Sequence, residues 1–258
     1  VILTIDLGNT NIVIGVMEGD ELRFTARFST DRAKTADEYA LMFDDLLELN
    51  NIKPEEIEGG IIASVVPDLK NELHDAVEMV TGKRPLTATI ELDTGLVIDM
   101  DTPSTLGADL LVNSVAALNL YPLPILIFDM GTATKLSVID CCGHYSGGMI
   151  IPGLRLSTDA LSARTAQLPR ISLDEPKILV GKNTVDCMQS GVIYGNAAML
   201  DGIIDRVEAE MGKKATILAT GGLIELVAPF CRHKMIVDKN LTLRGLRILY
   251  DRNADKAR

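Results

Sequence analysis

The chain has 258 residues, of which 47% are hydrophobic and 24% charged, and its 36 acidic against 25 basic side chains give a formal net charge of −11. This mix excludes intrinsic disorder over most of the length and supplies one large or two modest domains with an ample core. A sequence pI of about 4.8 excludes bulk nucleic-acid binding, which needs a basic footprint, but not a small anion held by backbone amides.

The opening residues alternate in the β manner: Ile2–Ile5, a D-x-G-N-T turn from Asp6, Ile12–Val16, a hairpin turn at Glu18-Gly19-Asp20, and Leu22–Phe28. A helix is expected from Thr35 to about Asn50, with Thr35 and Glu38 as a capping box. Ile61–Val65 reads as a buried strand, and Pro67 opens a second helix that Gly82 closes. A third helix spans Gly107–Leu120. Tyr121-Pro122-Leu123-Pro124 stops it and marks the boundary between an expected first domain (1–120) and second (121–258).

The pattern then restarts. Leu126-Ile127-Phe128-Asp129-Met130-Gly131-Thr132 matches Thr4-Ile5-Asp6-Leu7-Gly8-Asn9, at an offset of nearly half the chain. Each copy runs on into a second apolar strand (Ile12–Val16, Leu136–Ile139) and a glycine turn (Gly19, Gly143). A repeat of this length predicts two similar α/β domains. Beyond it come a strand at Tyr145–Ile151 and a helix from Gly153 to about Ala163. A proline-marked loop leads to a long helix at about Val185–Met211. A strand at Ala215–Ala219 ends in Thr220-Gly221-Gly222, and a closing helix lies near Thr242–Tyr250.

Apolar runs such as Ile125–Phe128 are far shorter than the roughly 20 residues of a spanning helix, so no membrane segment is expected. Asp6 interrupts the apolar Val1–Ile5 and no cleavage site follows, so no signal peptide is read. Cys141, Cys142, Cys187 and Cys231 form no CxxC pair. Cys141-Cys142 with His144 reads as a tight turn rather than a metal knuckle. The expectation is a reduced, cytoplasmic protein. With 4% aromatics and no Trp, its core must rest on aliphatic side chains, and the scattered methionines belong there too. His74 is expected on a helix surface and His233 in a loop beside Cys231, neither with a partner at triad or metal spacing. Glu208, Glu210, Lys213 and Lys214 read as solvated charge.

Three glycine turns follow apolar strands: Asp6-Leu7-Gly8-Asn9-Thr10, Asp129-Met130-Gly131-Thr132-Ala133-Thr134 and Thr220-Gly221-Gly222. Glycine permits the close backbone approach a phosphate requires, and Thr and Asn add donors. An Asp at the strand end can hold a metal ion or its waters against phosphate oxygens. No P-loop and no G-x-G-x-x-G fingerprint is present. The set resembles the actin, sugar-kinase and heat-shock ATPase fold, two ribonuclease-H-like α/β domains with an ATP cleft between them. Within it, the chain is identified as similar to the type III pantothenate kinases over essentially its whole length. The motifs are Asp6–Asn11, Gly107-Ala108-Asp109, Asn113, Asp129–Thr134, Tyr145-Ser146-Gly147-Gly148, Pro152-Gly153, Leu168-Pro169, Gly181-Lys182-Asn183-Thr184, Ser190-Gly191, Gly195 and Thr220-Gly221-Gly222.

The resemblance implies ATP-dependent phosphorylation of pantothenate to 4'-phosphopantothenate, the first step of coenzyme A biosynthesis. It implies that Asp6, Leu7, Gly8, Asn9, Thr10, Asn11, Ile12 and Val13 form the first phosphate loop, with Asp6 near Mg2+. Asp109 would be the general base and Asp129 the ligand of a monovalent cation (K+ or NH4+). Thr132 would contact ATP. Gly107, Ala108, Asp109, Leu110 and Thr184 would contact substrate, Thr184 across the interface of a homodimer. Asp109 also reads as a first-turn acid favoured by the helix dipole.

Four positions depart from the family pattern. Leu110 stands where G-A-D-R places an arginine for the pantothenate carboxylate, a bidentate contact leucine cannot make. Met100 replaces a substrate-contacting tyrosine. Lys135 and Ser137 replace the last Thr and Asp of D-x-G-T-A-T-T-x-D, so that Lys135 either faces phosphate or competes with a cation at Asp129. Two rival functions follow: a paralogue that phosphorylates a small alcohol lacking the carboxylate, and a catalytically silent ATP-binding regulator like the Bvg accessory factor.

Overall fold

Ile2–Leu7 (β1), Asn11–Glu18 (β2) and Glu21–Ser29 (β3) form an antiparallel meander in a computed structural model that describes residues 1–256. Gly19 closes the β2–β3 turn at φ +57, a conformation glycine adopts without a Cβ penalty. Gly59–Ser64 (β4) adds parallel to β1 and Leu86–Thr87 (β5) lies outside it, giving the order β3-β2-β1-β4-β5. Strand alternation sorts the side chains by face. Leu3, Ile5, Leu7, Ile12 and Ile14 share one buried cluster with Tyr39, Phe43, Leu73 and Val77 of the helices Ala36–Leu49 (α1) and Lys70–Thr81 (α2). The expected capping box of α1 forms: the Glu38 N–H donates to Thr35 Oγ1 (3.4 Å) and the Thr35 N–H to Glu38 Oε2 (2.8 Å). Gly82 ends α2 in the left-handed conformation.

The other face of this sheet packs on Ala108–Leu120 (α3) and Leu241–Arg252 (α7). Ile2, Ile61 and Ala63 meet Val112, Leu243, Leu246 and Leu249 there. Gly245 sits so close to the Val112 carbonyl that a Cβ would lie 2.1 Å from its oxygen. The Thr242 hydroxyl also donates to Asn113 Oδ1 (2.7 Å). The C-terminal helix thus fixes the position of α3.

The second sheet repeats the plan. Ile125–Met130 (β7), Ala133–Ile139 (β8) and His144–Pro152 (β9) form the meander. Thr216–Thr220 (β10) lies parallel to β7, with Ile236–Val237 (β11) and Val97–Ile98 (β6) at the edges, in the order β11-β10-β7-β8-β9-β6. Leu126, Phe128, Met130 and Leu136 pack on Ile193, Ala197, Leu200 and Ile204 of Thr184–Met211 (α5). Leu154–Arg164 (α4) follows β9, and Ile224–Val227 (α6) follows β10. The two sheets share meander and parallel fourth strand, so the sequence repeat is a duplicated α/β unit.

By their contacts the described residues divide into two compact units. The first comprises residues 1–96, 101–119 and the segment from Asn240 onward, and the second comprises 97–100 and 120–239. The division differs from the expected 1–120 and 121–258 in two places. The apolar face of α7 has its complement on the first sheet, and Val97–Ile98 pairs with β9 rather than with the strands before it.

Two side chains, His74 and Glu208, differ from their expected settings, and a third, His233, gains a partner. His74 is buried, 5% exposed, with Nε2 3.1 Å from Thr87 Oγ1, because its face of α2 turns inward. Burial, then the Arg84 guanidinium, push its pKa below the ordinary value. Glu208 is buried rather than solvated and accepts from Lys214 Nζ (2.6 Å) and the Ala215 N–H (3.0 Å). Burial pushes its pKa up, but those donors outweigh it and hold the carboxyl below its usual range. His233 Nε2 lies 2.9 Å from Asp205 Oδ1, a partner from α5 that no local spacing announces.

Candidate active site

In the first unit the D-x-G-N-T segment is a closed turn. The Gly8 N–H donates to the Asn11 carbonyl (3.0 Å), and the Val65 N–H, from beyond β4, to the Leu7 carbonyl (3.1 Å). Leu7 and Ile12 are buried, so their side chains anchor the turn and only their backbone can face a ligand. Asp6, half-buried at the end of β1, is paired in register with Val13 and Ala63. Asn9 and Thr10 are exposed at the tip, and Asn11 and Val13 are half-buried.

Two further residues hold this loop. The Thr30 hydroxyl donates to the Gly8 carbonyl (2.7 Å) and the Thr30 N–H to the Thr10 carbonyl (3.0 Å). Arg32 Nη2 donates to Asn9 Oδ1 (3.1 Å). Sequence reasoning missed both. They follow β3, and only the antiparallel return of that strand brings them beside the turn.

Asp109 lies in the first turn of α3, half-buried, and its Oδ1 accepts from the Leu110 N–H (2.8 Å). Gly107, whose carbonyl accepts the first helical bond from Leu111 (3.0 Å), leaves room for that carboxylate: a Cβ at Gly107 would stand 2.9 Å from Asp109 Oδ1. Ala108 and Leu110 are half-buried on either side, and no cationic group stands at position 110.

In the second unit the turn after β7 is closed by the Gly131 N–H donating to the Ala133 carbonyl (3.1 Å). Two distant glycines are packed on its backbone. A Cβ at Gly153 would lie 2.3 Å from the Thr132 carbonyl oxygen and 2.7 Å from that of Gly131. Gly221, at φ +96, abuts the backbone of Met130. Three motifs scattered in sequence therefore form one structure: the loop Asp129–Thr134, the Pro152-Gly153 start of α4, and Thr220-Gly221-Gly222 after β10. Thr132 is exposed at the tip. Asp129 pairs in register with Lys135 on one side and Thr220 on the other. Lys135 Nζ lies 4.0 Å from Asp129 Oδ2, both side chains being largely shielded from solvent.

Thr184 begins α5, capped by Asn183, whose Oδ1 accepts from the Asp186 N–H (3.0 Å). It borders a groove of about 690 Å³ with Gly181, Lys182, Asn183, Thr158 and Leu161. Gly181 is obligatory because a Cβ there would meet the Cys187 amide nitrogen at 2.3 Å.

Among the described residues no group of three or more His, Cys, Asp or Glu side chains is arranged to hold a metal ion. One carboxylate stands at each glycine loop, Asp6 in the first and Asp129 in the second. The Asp140 carboxylate accepts from the Cys142 and His144 N–H groups (2.8 and 2.9 Å), which makes Cys141-Cys142 the expected turn. Cys141, Cys142 and Cys187 are exposed, whereas burial, with Asp201 adding to it, pushes the Cys231 thiol up to about 12. The thiolate is the reactive form. At about pH 8, a disulfide reagent is therefore expected to titrate the three exposed thiols quickly and Cys231 only after denaturation. A fourth fast equivalent would contradict this.

A sequence profile described as type III pantothenate kinase matches residues 2–206. A type III pantothenate kinase of Moorella thermoacetica is 46% identical over 252 residues, covering 98% of this chain and 99% of that protein. Among solved structures, a Campylobacter jejuni protein described as a Baf family transcriptional activator superposes with a TM-score of 0.58 at 20% identity, over 98% of this chain and 99% of that one. The activator of 2-hydroxyisocaproyl-CoA dehydratase from Clostridium difficile, with bound ADPNP, gives 0.59 at 12% identity, over 98% and 95%. These structures establish the shared fold, two sheets of ribonuclease-H-like plan. The profile match, the identity over nearly the full length and the two glycine loops together place the chain in the type III pantothenate kinase family.

Proposed function

We propose that the chain transfers the γ-phosphate of ATP to the primary hydroxyl of pantothenate, giving 4'-phosphopantothenate. The observation that carries this is the Asp109 carboxylate, held in the first turn of α3 with Gly107 leaving it room, in a chain of this family. Asp109 takes the hydroxyl proton as the oxygen attacks, and the backbone of Asp6–Val13 together with Thr132 positions the nucleotide. Phosphoryl transfer needs positioning and charge neutralisation more than covalent help from the protein. Asp6 is the acid for Mg2+, which neutralises phosphate charge when bound. Asp129 is the acid that holds a positive charge at the second loop.

Thr184 contacts substrate from its groove, and a homodimer is the assembly that completes the site. The apolar side chains Leu179 (62% exposed), Val180 (78%) and Val185 beside Thr184 support a second copy as the cover of this surface. The acidic balance and the absence, among the described residues, of any helix long and apolar enough to cross a membrane fit a cytoplasmic enzyme of small molecules.

Leu110 favours one second reading, a substrate alcohol without a carboxylate. A hydrogen bond to a charged group contributes about 1.5–3 kcal/mol. Leu110→Arg is accordingly expected to lower KM for pantothenate roughly ten- to a hundredfold, and to leave KM for a carboxylate-free analogue unchanged. The test is ADP release from ATP with each alcohol, in native and Leu110→Arg protein. Absence of pantothenate turnover in both proteins would sink the leading function, and turnover of the analogue alone would establish the second reading.

A further inference from the structure

The second glycine loop carries a feature its first copy lacks. On β1 and β2 the residue opposite Asp6 is Val13, whereas on β7 and β8 the residue opposite Asp129 is Lys135. Directly opposed residues of an antiparallel pair project from the same face of the sheet. The register therefore holds the ammonium near the carboxylate, with Nζ 4.0 Å from Oδ2. Lys135 is 23% exposed and Asp129 19%, so the pair is largely withdrawn from solvent. Ser137, two residues on and therefore on the same face, is neutral and buried. Lys135 stands on β8, an interior strand flanked by β7 and β9.

An ammonium group is a compact point charge with three donors. It offers a carboxylate the same unit positive charge as a bound monovalent cation. A free cation entering contact with Asp129 would come within a few ångströms of Lys135 Nζ, and like charges repel more strongly in a shielded site than in bulk water. Asp129 with Lys135 beside it is thus a poor fit for K+ or NH4+. The geometry points to Lys135 as a built-in cation: its ammonium supplies, at Asp129 and the phosphate loop it precedes, the positive charge that the family resemblance assigns to a bound monovalent ion. The chain then works without one. This deepens the proposed kinase function and rests on it for the activity readout.

Two measurements test it. The first compares the melting temperature in KCl and in tetramethylammonium chloride at equal ionic strength, for native protein, Lys135→Thr and Lys135→Arg. Native protein and Lys135→Arg are expected to show no potassium-specific shift, and Lys135→Thr to gain one. The second compares phosphorylation rates in the same salts: a change of less than twofold for native protein and Lys135→Arg, and at least a tenfold stimulation of Lys135→Thr by potassium. A potassium-specific shift or stimulation of native protein would overturn the proposal, as would a Lys135→Thr protein that melts normally but ignores potassium. If no alcohol is phosphorylated, the kinase reading fails while the melting comparison still decides whether Lys135 takes the cation's place.

Discussion

Asp109→Asn is expected to lower kcat by about 10²- to 10⁴-fold, the usual contribution of a positioned general base, with ATP affinity within about twofold of native. Asparagine keeps the shape of the side chain and an Oδ1 able to accept from the Leu110 N–H, so the local bond at 2.8 Å survives. What it loses is the capacity to accept a proton from the attacking hydroxyl. It also loses the favourable interaction of an anion with the first turn of α3, on the order of 0.3–1 kcal/mol. A merely structural first-turn acid would show that small loss of stability and little change in rate. Steady-state kinetics and thermal melting on the same preparation separate the roles, and a fall in kcat below tenfold would remove Asp109 from the chemistry.

The second large effect is expected from Gly153→Ala. Its methyl group would lie 2.3 Å from the Thr132 carbonyl oxygen and 2.7 Å from that of Gly131. Both atoms are backbone, so no rotamer change relieves the contact and the loop or the start of α4 must shift. Overpacking of this kind costs about 1–3 kcal/mol, a drop of several degrees in melting temperature at roughly 2–4 °C per kcal/mol. Because the shifted atoms belong to the proposed ATP loop, nucleotide affinity is expected to fall at least about tenfold. Gly195→Ala is the matched control: the added Cβ finds nothing within 4 Å inside α5. Relieving a mid-helix glycine there is expected to stabilise by about 0.5–1 kcal/mol. Nucleotide affinity unchanged in Gly153→Ala would show that the second loop does not hold ATP.

Much of the architecture was legible before any coordinates. The period of two in Ile2–Ile5 and Ile12–Val16, the Thr35–Glu38 box and the Gly82 stop each encode a local element through short-range physics. The D-x-G shared by the Asp6 and Asp129 turns, each after an apolar strand, suggested the duplication, and both sheets carry it. Settings that depend on the third dimension were misread. His74 and Glu208 have polar names and helical neighbours, yet their helix faces turn inward, where Thr87, Lys214 and Ala215 receive them. The His233–Asp205 pair likewise joins residues whose separation along the chain carries no signal.

The strand-and-glycine pattern by itself announced a duplicated α/β protein, and the resemblance carried by its motifs pointed to the kinase family and to Asp6, Asp109 and Asp129 as its expected carboxylates. The duplication follows from periodicity and turn chemistry, and the resemblance from motif order, all legible along the chain. Only the tertiary structure decided that α7 returns to buttress α3, that Gly153 and Gly221 are spacers for one loop, that Thr30 and Arg32 hold the other, and that Lys135 faces Asp129. The reason is common to all four. Each depends on strand register or helix packing between segments far apart in sequence, where a one-residue slip would turn the side chain to the opposite face.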